Sequence, residues 1–335
     1  MKKILSILLL SIFVISCTQI QDSTYIELNG RAQGTTYQIK YEAPNGKNFK
    51  DDIEAIFKRI DLSMSTYVPT SLISTVNKGD TLVHVDTLFL EVLDRSIEIA
   101  NESNGDFDPT IGPLVSLWGF GFEEVRQDVN REMVNDRLER VGYKQIEIKG
   151  DSVRIPEGFQ IDFHAIAQGY TVDYIADYLE GYEVTNYMVE VGGEVRARGV
   201  NQKGEVWRIG VDKPSEEIDP EGRFQFILEL ENKALATSGS YRKFWVDEET
   251  GERYSHTIDP KTGYPARNRL LSVSIISGSS MDADAYATVC MVRGVEGCKE
   301  FLNSKDNLEG YLVYDVDPGN WTTFTTEGFE QYIVN

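Results

Sequence analysis

Two rhythms of hydrophobic and polar positions run along this chain, and they divide it into strands and helices. Residues 25–28 and 35–41 alternate around the turn N-G-R-A-Q-G, which predicts a hairpin with Gln33-Gly34-Thr35 in its connection. From residue 47 to 62 the spacing becomes helical, with Ile53, Ile56, Phe57 and Ile60 on one stripe. A second helix is predicted over residues 86–104, where Leu88, Val92, Leu93, Ile97 and Ala100 recur and Asn104-Gly105 stops the run. A third covers residues 130–141 and ends at Gly142, and a short hairpin pairs residues 145–148 with 152–155 around Gly150-Asp151. A fourth helix begins near His164 and runs to Leu179. Strands are then expected at residues 187–191, 194–198, 206–211, 224–230, 241–246, 271–276, 311–314 and 321–325. The run A-Y-A-T-V-C-M-V and residues 295–303 supply late helices. Short turns join neighbouring strands and the helices come in groups. The pattern is therefore α+β, with largely antiparallel sheets packed with helices. No G-x-G-x-x-G follows a strand, which argues against a Rossmann site.

The first residues stand outside this pattern. M-K-K, the apolar run I-L-S-I-L-L-L-S-I-F-V-I and Ser16-Cys17 read as a secretory signal peptide, and the run is too short for a resident membrane span. V-I-S-C resembles a bacterial lipoprotein box, so Cys17 is expected to be the lipidated first residue of the mature protein. Residues 18–24 follow as a polar tether and residues 25–335 as the folded domain. The expected location is outside the cytoplasm, lipid-anchored to a bacterial membrane and facing the periplasm or cell exterior. Charge adds a second constraint. With 33 Lys and Arg against 54 Asp and Glu the net charge is −21, a surface that repels nucleic acid and anionic headgroups. A phosphate-bearing substrate would need a cation of its own in the site, which implies a metal. Cys290 and Cys298 both lie in helix-like text and are expected to be buried free thiols rather than a bridge.

Candidate chemistry concentrates in residues 254–292. Asp282 and Asp284 lie just before the A-Y-A-T-V-C-M-V helix, and for Asp282 the expected role is at the helix start, where carboxylates complement free N–H groups. Asp284 and Thr288 are four apart, so both oxygens leave one helix face, a hard-oxygen pair suited to Mg²⁺. His256, one of only three histidines, opens a segment whose turns are fixed by Pro260, Gly263 and Pro265. The stretch N-G-D-F-D-P-T-I-G-P is similarly over-specified for a passive loop. Tyr67 is either a surface tyrosine or a platform for a planar ligand. The small residues from Ala165 to Gly169 suit either close helix–sheet packing or the approach of an anion to a helix start.

Together the segments G-D-F-D-P-T-I-G-P-L-V-S-L-W-G-F-G, I-D-F-H-A-I-A-Q-G-Y-T-V-D, V-E-V-G-G-E-V-R-A-R-G, A-L-A-T-S-G-S-Y-R, Y-S-H-T-I-D-P-K-T-G-Y-P and D-A-D-A-Y-A-T resemble, in order, those of the ApbE family of FAD:protein FMN transferases. The resemblance implies that family's α+β fold. It also implies an enzyme that binds FAD with Mg²⁺, cleaves the pyrophosphate, attaches FMN to a Thr or Ser hydroxyl of an acceptor protein and releases AMP. By the same resemblance, Asp284 and Thr288 match metal-binding side chains and Ala165 a position offering its backbone carbonyl. Gln33, Tyr67, Asp106, Phe107, Asp108, Asp162, Gln168 and Ile258 match positions lining the FAD, and His256 matches a histidine of proton transfer. Gln168 stands where relatives often carry a charged residue, and Ala287 where some have an aspartate. The implied acceptor is a membrane-bound or exported redox subunit with a Ser/Thr flavinylation motif. Two other readings share the site: a Mg²⁺-dependent FAD pyrophosphatase yielding FMN and AMP, and a lipoprotein that binds FAD without chemistry.

Overall fold

The computed structural model describes residues 24–121, 129–213, 224–240, 244–246, 253–317 and 320–334. The leader with Cys17 and the tether up to residue 23 lie outside the described residues, as does most of the acidic loop at residues 213–222. Among the described residues no helix is long and apolar enough to cross a membrane.

One eight-stranded sheet organises the molecule. Its strands are β1 (Thr24–Ala32), β2 (Thr35–Ala43), β3 (Tyr187–Val191), β4 (Glu194–Arg198), β5 (Lys233–Gly239), β6 (Leu270–Ser277), β7 (Glu309–Asp317) and β8 (Asn320–Thr325). Each lies beside the next in the chain, and every pairing is antiparallel. The expected antiparallel α+β architecture is therefore the one observed. β5 was not predicted: its A-L-A-T-S-G text has little β-branched or aromatic content. It is central all the same, because small side chains let a helix pack close to the sheet.

The helices are α1 (Lys50–Met64), α2 (Leu72–Val76), α3 (Thr87–Glu102), α4 (Gly112–Leu117), α5 (Arg131–Leu138), α6 (Ala167–Glu180), α7 (Ser280–Asn303) and α8 (Glu327–Glu330). Asp86 and Asn130 cap α3 and α5 through their side chains. α2 and α4, expected as loops, are single short turns of helix inside turn-rich text. Pleating sends alternate residues of the sheet to opposite faces. Val189, Val191, Ala236, Ile275 and Leu312 join the main core under α6 and α7. Met188, Val195, Leu235, Ile276 and Val313 meet a second core. That core is closed by Phe329 of α8 and by a small sheet of Trp207–Asp212, Phe224–Leu230 and Ile333–Val334.

Two expectations at α7 are corrected. The helix begins at Ser280, so Asp282 and Asp284 lie inside it, and the cap is Ser279, whose hydroxyl accepts the Asp282 N–H at 3.2 Å. Cys290 and Cys298 are not free thiols but a disulfide, with sulfurs 2.24 Å and Cα atoms 4.5 Å apart. Eight residues of straight helix would separate them by about 12 Å. Gly294 closes that gap: it takes φ 70° and ψ −171° within α7, folding the helix back on itself. The two helical segments read separately from the sequence are the two arms of this kink.

Candidate active site

The site forms where α6 and α7 start side by side across β3 to β6. The Gly169 Cα of α6 lies against the first turn of α7, so close that a Cβ there would sit 2.3 Å from the Ser280 carbonyl oxygen. Small residues at this helix start thus serve close packing, here of helix on helix. Asp173, one turn further along α6, fixes the same contact. It accepts hydrogen bonds from the Ser279 hydroxyl at 2.8 Å, the Ser280 N–H at 3.0 Å and the Met281 N–H at 2.9 Å, and from Arg196 at 3.2 Å. It therefore caps α7 from a neighbouring helix.

Asp284 points across this junction from α7. Its Oδ2 accepts the Gly169 N–H at 3.1 Å, and burial pushes its carboxyl up to about 7, against the pull of that single bond. In a regular helix the Gly169 N–H would donate to the carbonyl of residue 165. α6 is regular only from Ala167, and Ile166 before it has φ −155°. The Ala165 carbonyl thereby loses its helical donor to Asp284. Ser280, one turn before Asp284 on α7, is fully buried and its hydroxyl has no hydrogen-bond partner among the described residues. Half-buried Thr288 stands one turn after Asp284. A buried carboxylate short of positive charge, a carbonyl without its helical donor and hydroxyls on one helix face are hard oxygen donors. They fit Mg²⁺. Among the described residues no group of three or more His, Cys, Asp and Glu could hold a metal ion, so a cation here would rest on one carboxylate and neutral oxygens.

The residues expected along the FAD fall into three groups. Gln33, at φ 52° in the β1–β2 turn, donates to the Thr171 hydroxyl of α6 at 3.0 Å. Thr171 in turn donates to the Ala167 carbonyl at 2.7 Å. Gln33 Oε1 is buried with no partner among the described residues, an acceptor open to a ligand donor. Gln168 joins this group: its amide lies against Gly192 in the β3–β4 turn, where a Cβ would come within 2.4 Å. The second group lies before α6. Asp162 accepts the His164 backbone N–H at 2.7 Å and faces its Nδ1 at 2.8 Å. Burial opposes charge on Asp162, but the imidazole outweighs it and holds the carboxyl below the usual range. The Tyr67 ring packs on His164 with centroids 5.5 Å apart.

The third group is the loop after α3. Asp106 receives Lys261 and Arg293, both at 2.6 Å, tying the His256 segment and α7 to one carboxylate. Phe107 is buried in the main core. Asp108 is committed inward: it accepts from the Thr110 N–H at 2.8 Å, the Thr110 hydroxyl at 2.6 Å and the Tyr143 N–H at 3.0 Å. Ile258 packs in a small separate core with Leu114, Leu117, Trp118 and Val134. The loop after it is closed by Asp259, which accepts from the Lys261 N–H and the Thr262 hydroxyl, and by Trp118, whose indole N–H donates to the Gly263 carbonyl at 2.8 Å. His256 stands at the entry to this loop, half-buried, its ring 6.3 Å from that of Phe120. Asp282, given a helix-start role, pairs with Arg95 of α3 at 2.7 Å. Sequence reasoning did not pick out Asp173 or Arg293, took Lys261 only as part of the turn segment after His256, and used His164 only to mark a helix start.

The ApbE family model matches residues 33–312. A Haemophilus influenzae protein named FAD:protein FMN transferase is 34% identical, over 99% of this chain and 98% of its own. A Vibrio cholerae protein of the same name is 41% identical, over 81% of this chain and 82% of its own. The fold matches the solved flavin transferase ApbE from Vibrio cholerae with a TM-score of 0.81 at 36% identity, covering 92% of this chain and 99% of that one. The ApbE protein of Thermotoga maritima matches with a TM-score of 0.81 at 30% identity, over 93% of this chain and 100% of that one. On sequence and on fold alike, this chain belongs to the ApbE family.

Proposed function

We propose that this chain transfers FMN from FAD to a Thr or Ser hydroxyl of an acceptor protein, with Mg²⁺ and with release of AMP. The transferase class rests on its relatives, which carry the name FAD:protein FMN transferase. The observation that carries the finer reading is the junction of α6 and α7. There a buried carboxylate meets a single N–H donor beside a carbonyl stripped of its helical partner. Asp284, Thr288 and the Ala165 carbonyl would hold the cation. When bound, it neutralises charge on the two phosphates and on the departing AMP.

The remaining work falls to the chain. Gln33 offers its open Oε1 from the β1–β2 turn, and Gln168 is wedged where it helps shape the same wall. Asp106 braces the His256 segment against α7 through Lys261 and Arg293, which sets the histidine's position relative to Asp284. His256 receives the proton of the incoming hydroxyl. At a net charge of −21 the chain repels a dinucleotide in bulk, so attraction has to be supplied within the site. The acceptor is an exported or membrane-bound redox protein, in keeping with a leader that ends at Ser16-Cys17 and with Cys17 as a lipid anchor.

The test is to incubate the detergent-solubilised chain with FAD and Mg²⁺, with and without an acceptor protein. AMP formed only with acceptor, together with a mass gain of one FMN on it, is the expected result. AMP with free FMN in both tubes would make the enzyme a pyrophosphatase. Bound FAD with no AMP in either would remove the catalytic assignments.

A further inference from the structure

We propose that His164 is a ligand-binding residue, its imidazole forming with Tyr67 a rigid aromatic grip on a planar ring of the bound dinucleotide. The inference rests on the transferase reading above. The His164 side chain keeps 48% of its surface exposed and Tyr67 keeps 58%. Exposed aromatic side chains are ordinarily mobile, and His164 is held at three points. Asp162 holds the His164 Nδ1 at 2.8 Å and the same residue's N–H at 2.7 Å. Asp162 is itself anchored by its own N–H, which donates to the Pro109 carbonyl at 2.8 Å, and its side chain is only 10% exposed. At the far edge of the ring, the Thr66 hydroxyl lies 3.4 Å from Nε2.

Tyr67 sits between Ser65 and Val68, whose carbonyls are both tied down. The Ser71 hydroxyl donates to the Ser65 carbonyl at 2.8 Å and the Ser74 hydroxyl to the Val68 carbonyl at 2.9 Å. The two rings meet at 58°. A ligand that stacks here meets a surface already ordered, so little entropy is lost on contact. Position supports the assignment. His164 directly precedes Ala165, and five residues later Gly169 donates to Asp284. A dinucleotide with its phosphates at that junction carries a planar heteroaromatic ring on either side. Holding a purely structural imidazole in place would not require leaving half of it in water.

The test titrates FAD, FMN and AMP separately into the full chain in detergent with Mg²⁺, reading affinity by flavin fluorescence or calorimetry. His164→Ala is expected to weaken FAD roughly tenfold, and His164→Phe, which keeps a ring, to stay within roughly threefold of native. Melting temperature is expected to stay unchanged in both. The same factor appearing with FMN alone assigns the flavin to the grip, and with AMP alone the adenine. Native affinity in His164→Ala overturns the inference, and so does an equal loss in both variants, since the ring face would then not be what binds. A native chain that binds none of the three compounds defeats the transferase reading itself. One that binds them and releases AMP, with the variants unaffected, defeats the inference alone.

Discussion

Two buried aspartates face each other's helices across the α6–α7 junction, and they are equipped in opposite ways. Asp173 of α6 receives three donors from the start of α7 and a fourth from Arg196. Asp284 of α7 receives one, the Gly169 N–H of α6. Burial raises the carboxyl of each. A carboxylate with its acceptor sites filled is a fastener, and its hydrogen bonds offset the cost of burial. A carboxylate left with one donor in the same surroundings is under-compensated, which is the condition in which a cation binds. Two residues of one type, in one seam, thus separate structure from chemistry by what surrounds them.

Four substitutions bear on that contrast. The largest effect is expected from Asp284→Ala: Mg²⁺-dependent turnover should fall by about a thousandfold or more, equivalent to about 4 kcal/mol, in a chain that still folds. Retained activity would strip Asp284 of its role. Asp173→Ala should act the other way round. It leaves the buried Ser280 N–H and the partly buried Met281 N–H unpaired, at a cost of about 3 kcal/mol in denaturant unfolding. Whatever fraction remains folded should still turn over. Gly169→Ala puts a methyl against the Ser280 carbonyl and should force the helices apart, costing about 2–3 kcal/mol. It should also weaken Mg²⁺ binding, because it moves the Asp284 donor.

The smallest effect is a matter of pH. A carboxyl raised to about 7 in the folded state adds stability below its unfolded pKa of about 4, and that contribution is lost as pH rises through about 7. Metal-free Asp284→Asn should therefore be more stable than the native chain at pH 8, by about 1–2 kcal/mol, because relaxation around a buried charge trims the full effect. The difference should vanish near pH 4. A melting curve for the variant that parallels the native one across this range would mean that Asp284 is not the strained member of the pair.

The sequence made some of this visible for clear reasons. Four-residue spacing put Asp284 and Thr288 on one face of α7, and the alternation at residues 25–41 marked the β1–β2 hairpin. Contacts made far along the chain left no local trace. Asp173 reaches the start of α7 over more than a hundred residues, and Asp106 meets Arg293 across 187. The disulfide was hidden differently: its pairing depends on the left-handed backbone at Gly294, and a glycine inside helical text does not say which way it will turn. His164 was read only as the mark of a helix start, because its partner Asp162 is two residues away, a spacing that ordinarily marks a simple turn.

The order of the central sheet bears on how it can assemble. Because each strand pairs with its neighbour in the chain, the sheet can grow from one edge without threading a late strand between two early ones. The longest delay falls after Ala43, because β2 must wait for Tyr187–Val191. During it the hairpin offers β2 as an open edge, and an isolated hairpin is marginal in water. What emerges next is suited to cover it. The Tyr41 hydroxyl accepts the Phe49 N–H at 2.9 Å, and Tyr37 stacks on Phe57 of α1 with centroids 4.9 Å apart. α1, the next helix in the chain, thereby covers the hairpin's apolar face before its third strand is available.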